Sequence, residues 1–259
     1  MTQKSLPKYH WKADRTDINY PVYNIAAPAT MPTSVDLRPF ASPIDDQGQL
    51  GSCTGNSIAG AIDLMANKIK KTERVSRLFI YYQERLMEGD INQDGGAQIH
   101  DGITACTQTG VSLESLWPYT VSQFKVKPNA AAYADAAHRK ISAASKCADF
   151  NAIKSALANG FPVVIGFTVY SSFESPAVAA TGMMPFPNVH TEQCLGGHAV
   201  CVVGYDDHKT GPAGTGYFIV RNSWGSGWGD QGYFYMPYKM IQTPGMASDF
   251  WAVTAIVEP

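Results

Sequence analysis

Apolar residues recur at helical spacing in the first half of the chain and switch to strand-like alternation in the second. After the Gly-rich loop DDQGQLGSC, the positions Ile58, Ile62, Met65 and Ile69 of SIAGAIDLMANKIKK fall on one helical face, which predicts a helix with Cys53 at its entrance. SRLFIYYQERLMEG predicts a second helix with Ser76 as its cap and Gly89 as its stop, and HDGITACTQTG a third. DFNAIKSALANG predicts a further helix between Asp149 and Gly160. The runs FPVVIGFTVY, HAVCVVGYD, GYFIVRNSWG and FWAVTAIVEP, separated by Gly and Pro turns, predict strands. A helical half over about 41–128 followed by a β half over about 129–259, each with its own apolar set, reads as α+β with a cleft between two lobes. Residues 1–30 are polar and Pro-punctuated and read as an extension, strap or short pro-segment ahead of a domain over 31–259.

Composition narrows the partners more than the fold. At 259 residues the chain can bury a sizeable core unaided, and 45% apolar with 16% charged residues describes a folded globular protein. A net charge of −2 supplies no basic field for nucleic acid or anionic lipid. No run approaches the ~18 apolar residues of a membrane helix, and the start MTQKSLPKYHWK has no signal-peptide h-region. The expectation is a soluble monomer with no membrane span and no nucleic-acid partner. Five cysteines is an odd number, so at least one thiol is left over for chemistry, while Cys106 and Cys201, inside apolar runs, read as buried small hydrophobes.

The leftover thiol best placed for chemistry is Cys53. Unpaired backbone N–H groups at a helix N-terminus favour a thiolate there. The neighbouring glycines 48, 51 and 55 let a peptide approach, and the Cys53 N–H with the Gln47 side chain could hold an oxyanion. His198, after two glycines in LGGHAVCVVGYD, opens a strand, and Asn222, in FIVRNSWGSGWG, ends one and could fix the imidazole tautomer. Trp224 and Trp228 would shield that bond. Taken singly, each of these residues has a plainer reading: a structural cysteine, a strand histidine on a carbonyl, a turn asparagine. His190, Cys194 and His198 recur at spacing four, as zinc ligands on a helix would, but the segment is Gly-broken and runs into a strand, so neither metal nor cofactor is expected.

In this order DQGQLGSC, GGHAV and NSWGSGWGDQGY resemble the papain and cathepsin family of cysteine peptidases, from SVDLR at 34–38 to GYFYM at 232–236. The resemblance implies a papain-like two-lobed fold, a helical lobe facing an antiparallel β-barrel-like lobe, with the active site between them. It assigns Cys53 as nucleophile, His198 as base and acid, Asn222 as orienter and Gln47 as oxyanion-hole donor. DGG at 94–96 and LWPY at 116–119 are further landmarks, and Gly95, Gly96, Ala97, Gly196, Gly197, Ala199 and Trp224 become candidate contacts of a peptide or protein substrate.

What the resemblance implies chemically is attack by a Cys53 thiolate, paired with the His198 imidazolium, on a peptide carbonyl. His198 then protonates the leaving amine, and water hydrolyses the thioester. Three departures mark a divergent, bacterial branch: Leu50 stands where the family usually has a cysteine, Thr54 where an aromatic commonly follows the nucleophile, and DDHKTGPAGTG adds a loop between His198 and Asn222. A catalytically silent binding protein and acyl transfer to an amine are the alternatives. The strap around Tyr20 to Pro32 reads either as a restraint on access to Cys53 or as a segment packed on the outside of the fold, and family habit favours a secreted or extracytoplasmic protein.

Overall fold

The computed structural model describes residues 9–15 and 20–257. Its helices are α1 (Cys53–Lys68), α2 (Arg77–Glu88), α3 (Ile99–Gln108), α4 (Ala130–Ala136), α5 (Phe150–Ala158), α6 (Pro176–Thr181) and α7 (Tyr238–Gln242). Its strands are β1 (Trp11–Lys12), β2 (Ser34–Asp36), β3 (Ala97–Gln98), β4 (Lys140–Lys146), β5 (Val163–Tyr170), β6 (Cys194–Gly211), β7 (Gly214–Arg221), β8 (Tyr233–Pro237) and β9 (Ala247–Val257).

Local chemistry sets the helix limits. The Ser76 hydroxyl accepts the Phe79 N–H at the start of α2, and Gly89 closes it in the left-handed region at φ 74°, where a Cβ is disfavoured. Asp149 caps α5 through the Ala152 N–H, and Gly160 follows at φ +83°. On α1 the apolar face is Ile58, Ile62 and Met65, but Ile69 lies past the helix end and is exposed, because the chain turns away at Lys68. Every α1 residue from Cys53 to Ala66 is buried, polar ones included. Its small residues permit this: a Cβ on Gly55 would stand 2.7 Å from the Arg77 carbonyl oxygen, and one on Gly60 2.9 Å from Arg221 Nε. Helix α1 is thus wedged between α2 on one side and β6 on the other.

The large sheet is antiparallel, ordered β4-β9-β5-β6-β7-β8, with β2 added onto β6. The expected barrel-like lobe is an open sheet: among the described residues no pairing joins β4 to β8 at its two ends. The expected extra loop after His198 is also different, since β6 runs on to Gly211 and β7 begins at Gly214, with Thr210 paired to Thr215. A Gly-ended two-residue turn lets the strands continue as a long hairpin arm. A separate two-stranded sheet pairs β1 with β3 in parallel, Trp11 opposite Ala97. All five cysteines are free, with Cys106 and Cys201 buried as expected.

Candidate active site

Cys53 stands at the first position of α1, and its Ser52 cap makes no side-chain capping bond, so the first-turn N–H groups face the cleft end of the helix. His198 lies on β6 opposite Phe167 of β5, and Asn222 directly follows β7. His198 Nε2 is 2.9 Å from Asn222 Oδ1, which also accepts the Ser223 N–H at 2.9 Å. Two donors converging on one atom identify it as the amide oxygen. The imidazole proton therefore sits on Nε2, leaving the Nδ1 lone pair, which is buried and has no partner in the protein. Trp224 stacks on the imidazole at 5.1 Å between centroids and 26° between planes, and Phe173 and Trp228 pack behind it. Water is kept from the His198–Asn222 bond on that side.

The backbone N–H groups of Ala199, the residue after His198, of His10 and of Thr54 each act to lower the pKa of the Cys53 thiol. Gln47 is fully buried, its Nε2 donating to the Leu50 carbonyl at 2.9 Å and its Oε1 accepting from Ser223 Oγ at 2.5 Å. The loop carrying Gln47 is zipped to the loop carrying Asn222 by Gln47 N–H to Ser223 O and Gly225 N–H to Asp45 O, both 2.8 Å. Arg221 completes the clamp, donating to the carbonyls of Ser42 and Pro43 at 2.6 Å each and to Asp45 at 3.2 Å. Neither Arg221 nor Asp45 stood out in the sequence, because a salt bridge between positions so far apart leaves no local pattern.

The cleft is filled by the chain's own start. A Cβ on Gly96 would lie 1.6 Å from the His10 carbonyl oxygen, one on Gly196 2.9 Å from Tyr9 Cβ, and one on Gly197 2.5 Å from the Trp11 ring. The Tyr9 ring is edge-on to His198 at 5.8 Å and to Trp224 at 5.9 Å, and its hydroxyl donates to Glu174. Gly95, Gly96, Ala97, Gly196, Gly197 and Trp224 therefore all flank Tyr9–Lys12, and Ala199 contributes its N–H at the sulfur. Of the two readings of the Tyr20 to Pro32 strap, the one packed away from Cys53 is found. Pro21 and Tyr23 bond to Lys146 of β4, and Tyr20 packs on His100 and Trp251. The covering segment is Tyr9–Lys12, whose only sequence signal is the aromatic density of YHWK.

Occlusion works against the expected charge state. Burial pushes the Cys53 thiol up to about 11, against the lowering pull of the three N–H groups, and pulls His198 down to about 4 against the raising effect of its bond to Asn222. Desolvation outweighs the helix terminus here, because both groups are wholly enclosed. With the strap in place burial opposes charging of either group, whereas the ion pair implied by the resemblance needs both charged. As for the zinc-like spacing, Cys194 is exposed while His198 is buried on Asn222, and no group of three His, Cys, Asp or Glu among the described residues could hold a metal ion.

The family model described as papain family cysteine protease matches residues 31–254. The chain belongs to the papain family of cysteine proteases. It is 44% identical over 229 residues to an uncharacterized peptidase C1-like protein of Acanthamoeba polyphaga mimivirus, covering 83% of this chain and 70% of that one. It is also similar to cathepsin K of Gallus gallus, at 29% identity over 84% of this chain and 62% of the relative. Among solved structures, xylellain, a cysteine protease from Xylella fastidiosa, superposes with a TM-score of 0.86 at 36% identity, covering 98% of both chains. This papain-family member is thus a cysteine-type peptidase acting on peptide or protein substrates. No helix among its described residues is long and apolar enough to cross a membrane.

Proposed function

We propose that the chain hydrolyses peptide bonds through Cys53, His198 and Asn222, with Gln47 and the Cys53 N–H as oxyanion donors, from a resting form whose cleft is closed by Tyr9–Lys12. The observation that carries this reading is the tautomer: Asn222 Oδ1 holds the proton on Nε2, so the free Nδ1 lone pair is the base available to the thiol. Once the strap lifts, water returns to both groups and charge separation between sulfur and imidazole becomes affordable in the electrostatic sense, with the helix terminus stabilising the thiolate. The thiolate attacks the carbonyl carbon, and the oxyanion takes hydrogen bonds from the Cys53 N–H and from Gln47 Nε2, one of whose two hydrogens is already committed to Leu50. His198 then gives its proton to the departing amine, leaving a thioester. The same imidazole draws a proton from water, which attacks the thioester and regenerates the thiol.

The reading extends to a monomer working outside the cytoplasm, supported by the hazard an unconfined peptidase poses, and cell fractionation tests it. For the chemistry, turnover of a fluorogenic peptide library is expected to be lost in Cys53→Ala and reduced by about 10²–10⁴-fold in His198→Ala. Turnover surviving in Cys53→Ala would refute the assignment. Mass spectrometry of the products with added amine separates hydrolysis from acyl transfer.

A further inference from the structure

The turn that delivers Cys53 lacks two ties that could hold it. All five cysteines are free, so no disulfide crosses it, and Leu50 stands where the family usually has a cysteine. Nor does the Ser52 hydroxyl cap α1. It is turned instead toward Tyr119 Oη, 2.6 Å away, and accepts the Asn56 side-chain N–H at 3.0 Å. Tyr119 in turn donates to the Gln47 carbonyl at 3.0 Å. The same turn carries the Cys53 N–H and the Gln47 amide, and two donors serve one oxyanion only if their spacing is fixed beforehand.

Asp94, in the loop ahead of β3, reaches the turn from outside. Its Oδ1 accepts the Gly51 N–H at 2.9 Å and the Tyr81 hydroxyl at 2.6 Å. Glycine permits the approach, since a Cβ on Gly51 would stand 3.0 Å from that oxygen and 3.0 Å from His10 Cβ. The carboxylate is itself held by α2. Tyr81, wholly buried, also accepts the Gly96 N–H at 3.2 Å. Arg85, one turn further along α2 and equally buried, lies over the Tyr81 ring at 4.1 Å and donates to the carbonyls of Ile91 and Gln93 at 2.9 and 3.2 Å. The loop is thus fastened to α2 at Ile91, Gln93, Asp94 and Gly96, and it hands one oxygen to Gly51, two residues before the nucleophile.

Resting on the peptidase reading of the site, we propose that Asp94 is a positioning residue for the reaction, fixing the turn from Gly51 to Cys53 so that the Cys53 N–H and the Gln47 amide converge on one oxyanion. Asp94 acts through Gly51 and touches no reacting atom. Without its oxygen the Gly51 N–H and the Tyr81 hydroxyl lose their acceptor. The Gln47 end stays in place, because Tyr119 and Ser223 still hold it, so the turn survives with its Cys53 end free to shift. A misplacement of about 1 Å at such a point costs about 10²-fold in rate. The oxyanion forms only after attack on the carbonyl, so the loss belongs to the transition state and not to substrate binding.

The test uses the full chain with Trp11→Ala and Lys12→Ala, which removes the ring lying on Gly197 and the ammonium 2.6 Å from Glu88 Oε2 and so opens the cleft. Into that parent go Asp94→Ala, Asp94→Asn and Tyr81→Phe. For each chain kcat and KM are measured on one fluorogenic peptide that the parent cleaves. Inhibition is measured with the matching peptide aldehyde, which adds the thiol to give a tetrahedral oxyanion, and with the peptide alcohol, which cannot. Asp94→Ala is expected to lower kcat by about 10–100-fold, to leave KM within about twofold, and to weaken the aldehyde by a similar factor to kcat while the alcohol is unchanged. Asp94→Asn keeps an Oδ1 acceptor and should recover most of the loss. Tyr81→Phe keeps the Gly51 bond and loses only the hydroxyl that steadies Asp94, so a smaller loss of the same kind is expected, and this milder variant decides the matter if Asp94→Ala fails to fold. Unchanged kcat, a loss confined to KM, or aldehyde and alcohol weakened alike overturns the proposal. A parent that cleaves no peptide and whose Cys53 resists an epoxide thiol reagent would instead refute the catalytic reading, and the role of Asp94 with it.

Discussion

The imidazole of His198 is held by contacts on two sides, Asn222 Oδ1 at its Nε2 and the Trp224 ring against its face, and each restricts a different motion. Losing the asparagine oxygen frees the ring to rotate and to take the wrong tautomer, which lowers the chance that Nδ1 faces the thiol. Asn222→Ala is accordingly expected to lower kcat by about 10–100-fold with KM little changed, since an orienting residue acts on the chemical step. Equal kcat, or a loss confined to KM, would reject that role. The four proposed site residues could be singled out in sequence because their motifs, plain one by one, resemble the papain family when taken in order. Arg221 and Asp45 were not legible, although their 3.2 Å contact ties the Gln47 loop to the Asn222 loop, because what matters about them is a pairing made only by the fold. Leu50, which replaces an expected cysteine, is buried and lends its carbonyl to Gln47, so the loop keeps its shape without a disulfide.

At the level of elements, the helices and strands with strong periodicity or good caps were readable: Ser76, Gly89, Asp149 and Gly160 mark real helix limits. Strand β1 was unreadable, being two residues long and defined only by its pairing to β3 across the cleft. Its hold on the cleft should depend on pH. With β1 seated, His198 is pulled from its ordinary 6.5 down to about 4. When β1 lifts and water returns, that value rises back, so protons bind the open form preferentially. The closed form is therefore favoured in full above about pH 7 and loses ground as pH falls through 6.5 toward 4. Cys53, raised from 9.0 to about 11, has the mirror effect at the alkaline end. Hydrogen exchange at Trp11 and Lys12, corrected for intrinsic rates, is expected to show opening on the order of tenfold greater at pH 5 than at pH 7. Equal or stronger protection at pH 5 would contradict the coupling.

Across the whole molecule, Cys53 on α1 and His198 on β6 belong to different lobes, and the strap joins both by reaching Cys53 through His10, β3 through Trp11 and the β6 glycines through Tyr9 and Trp11. The two-lobed arrangement was legible because helical and strand periodicities separate along the chain. That the sheet is open, and that residues 9–12 rather than 20–32 close the cleft, depends on long-range contacts that no local pattern encodes. The account stands or falls on a cysteine peptidase whose reacting pair is competent but covered. Its most direct test is the rate and site of labelling by an epoxide thiol reagent at neutral pH, followed by peptide mapping, in the unaltered chain and in a chain carrying Trp11→Ala with Lys12→Ala. The prediction is slow labelling of the unaltered chain and, in the variant, labelling faster by at least about tenfold at Cys53 and abolished by His198→Ala. Modification centred on another cysteine, or equal rates in the two chains, would contradict it.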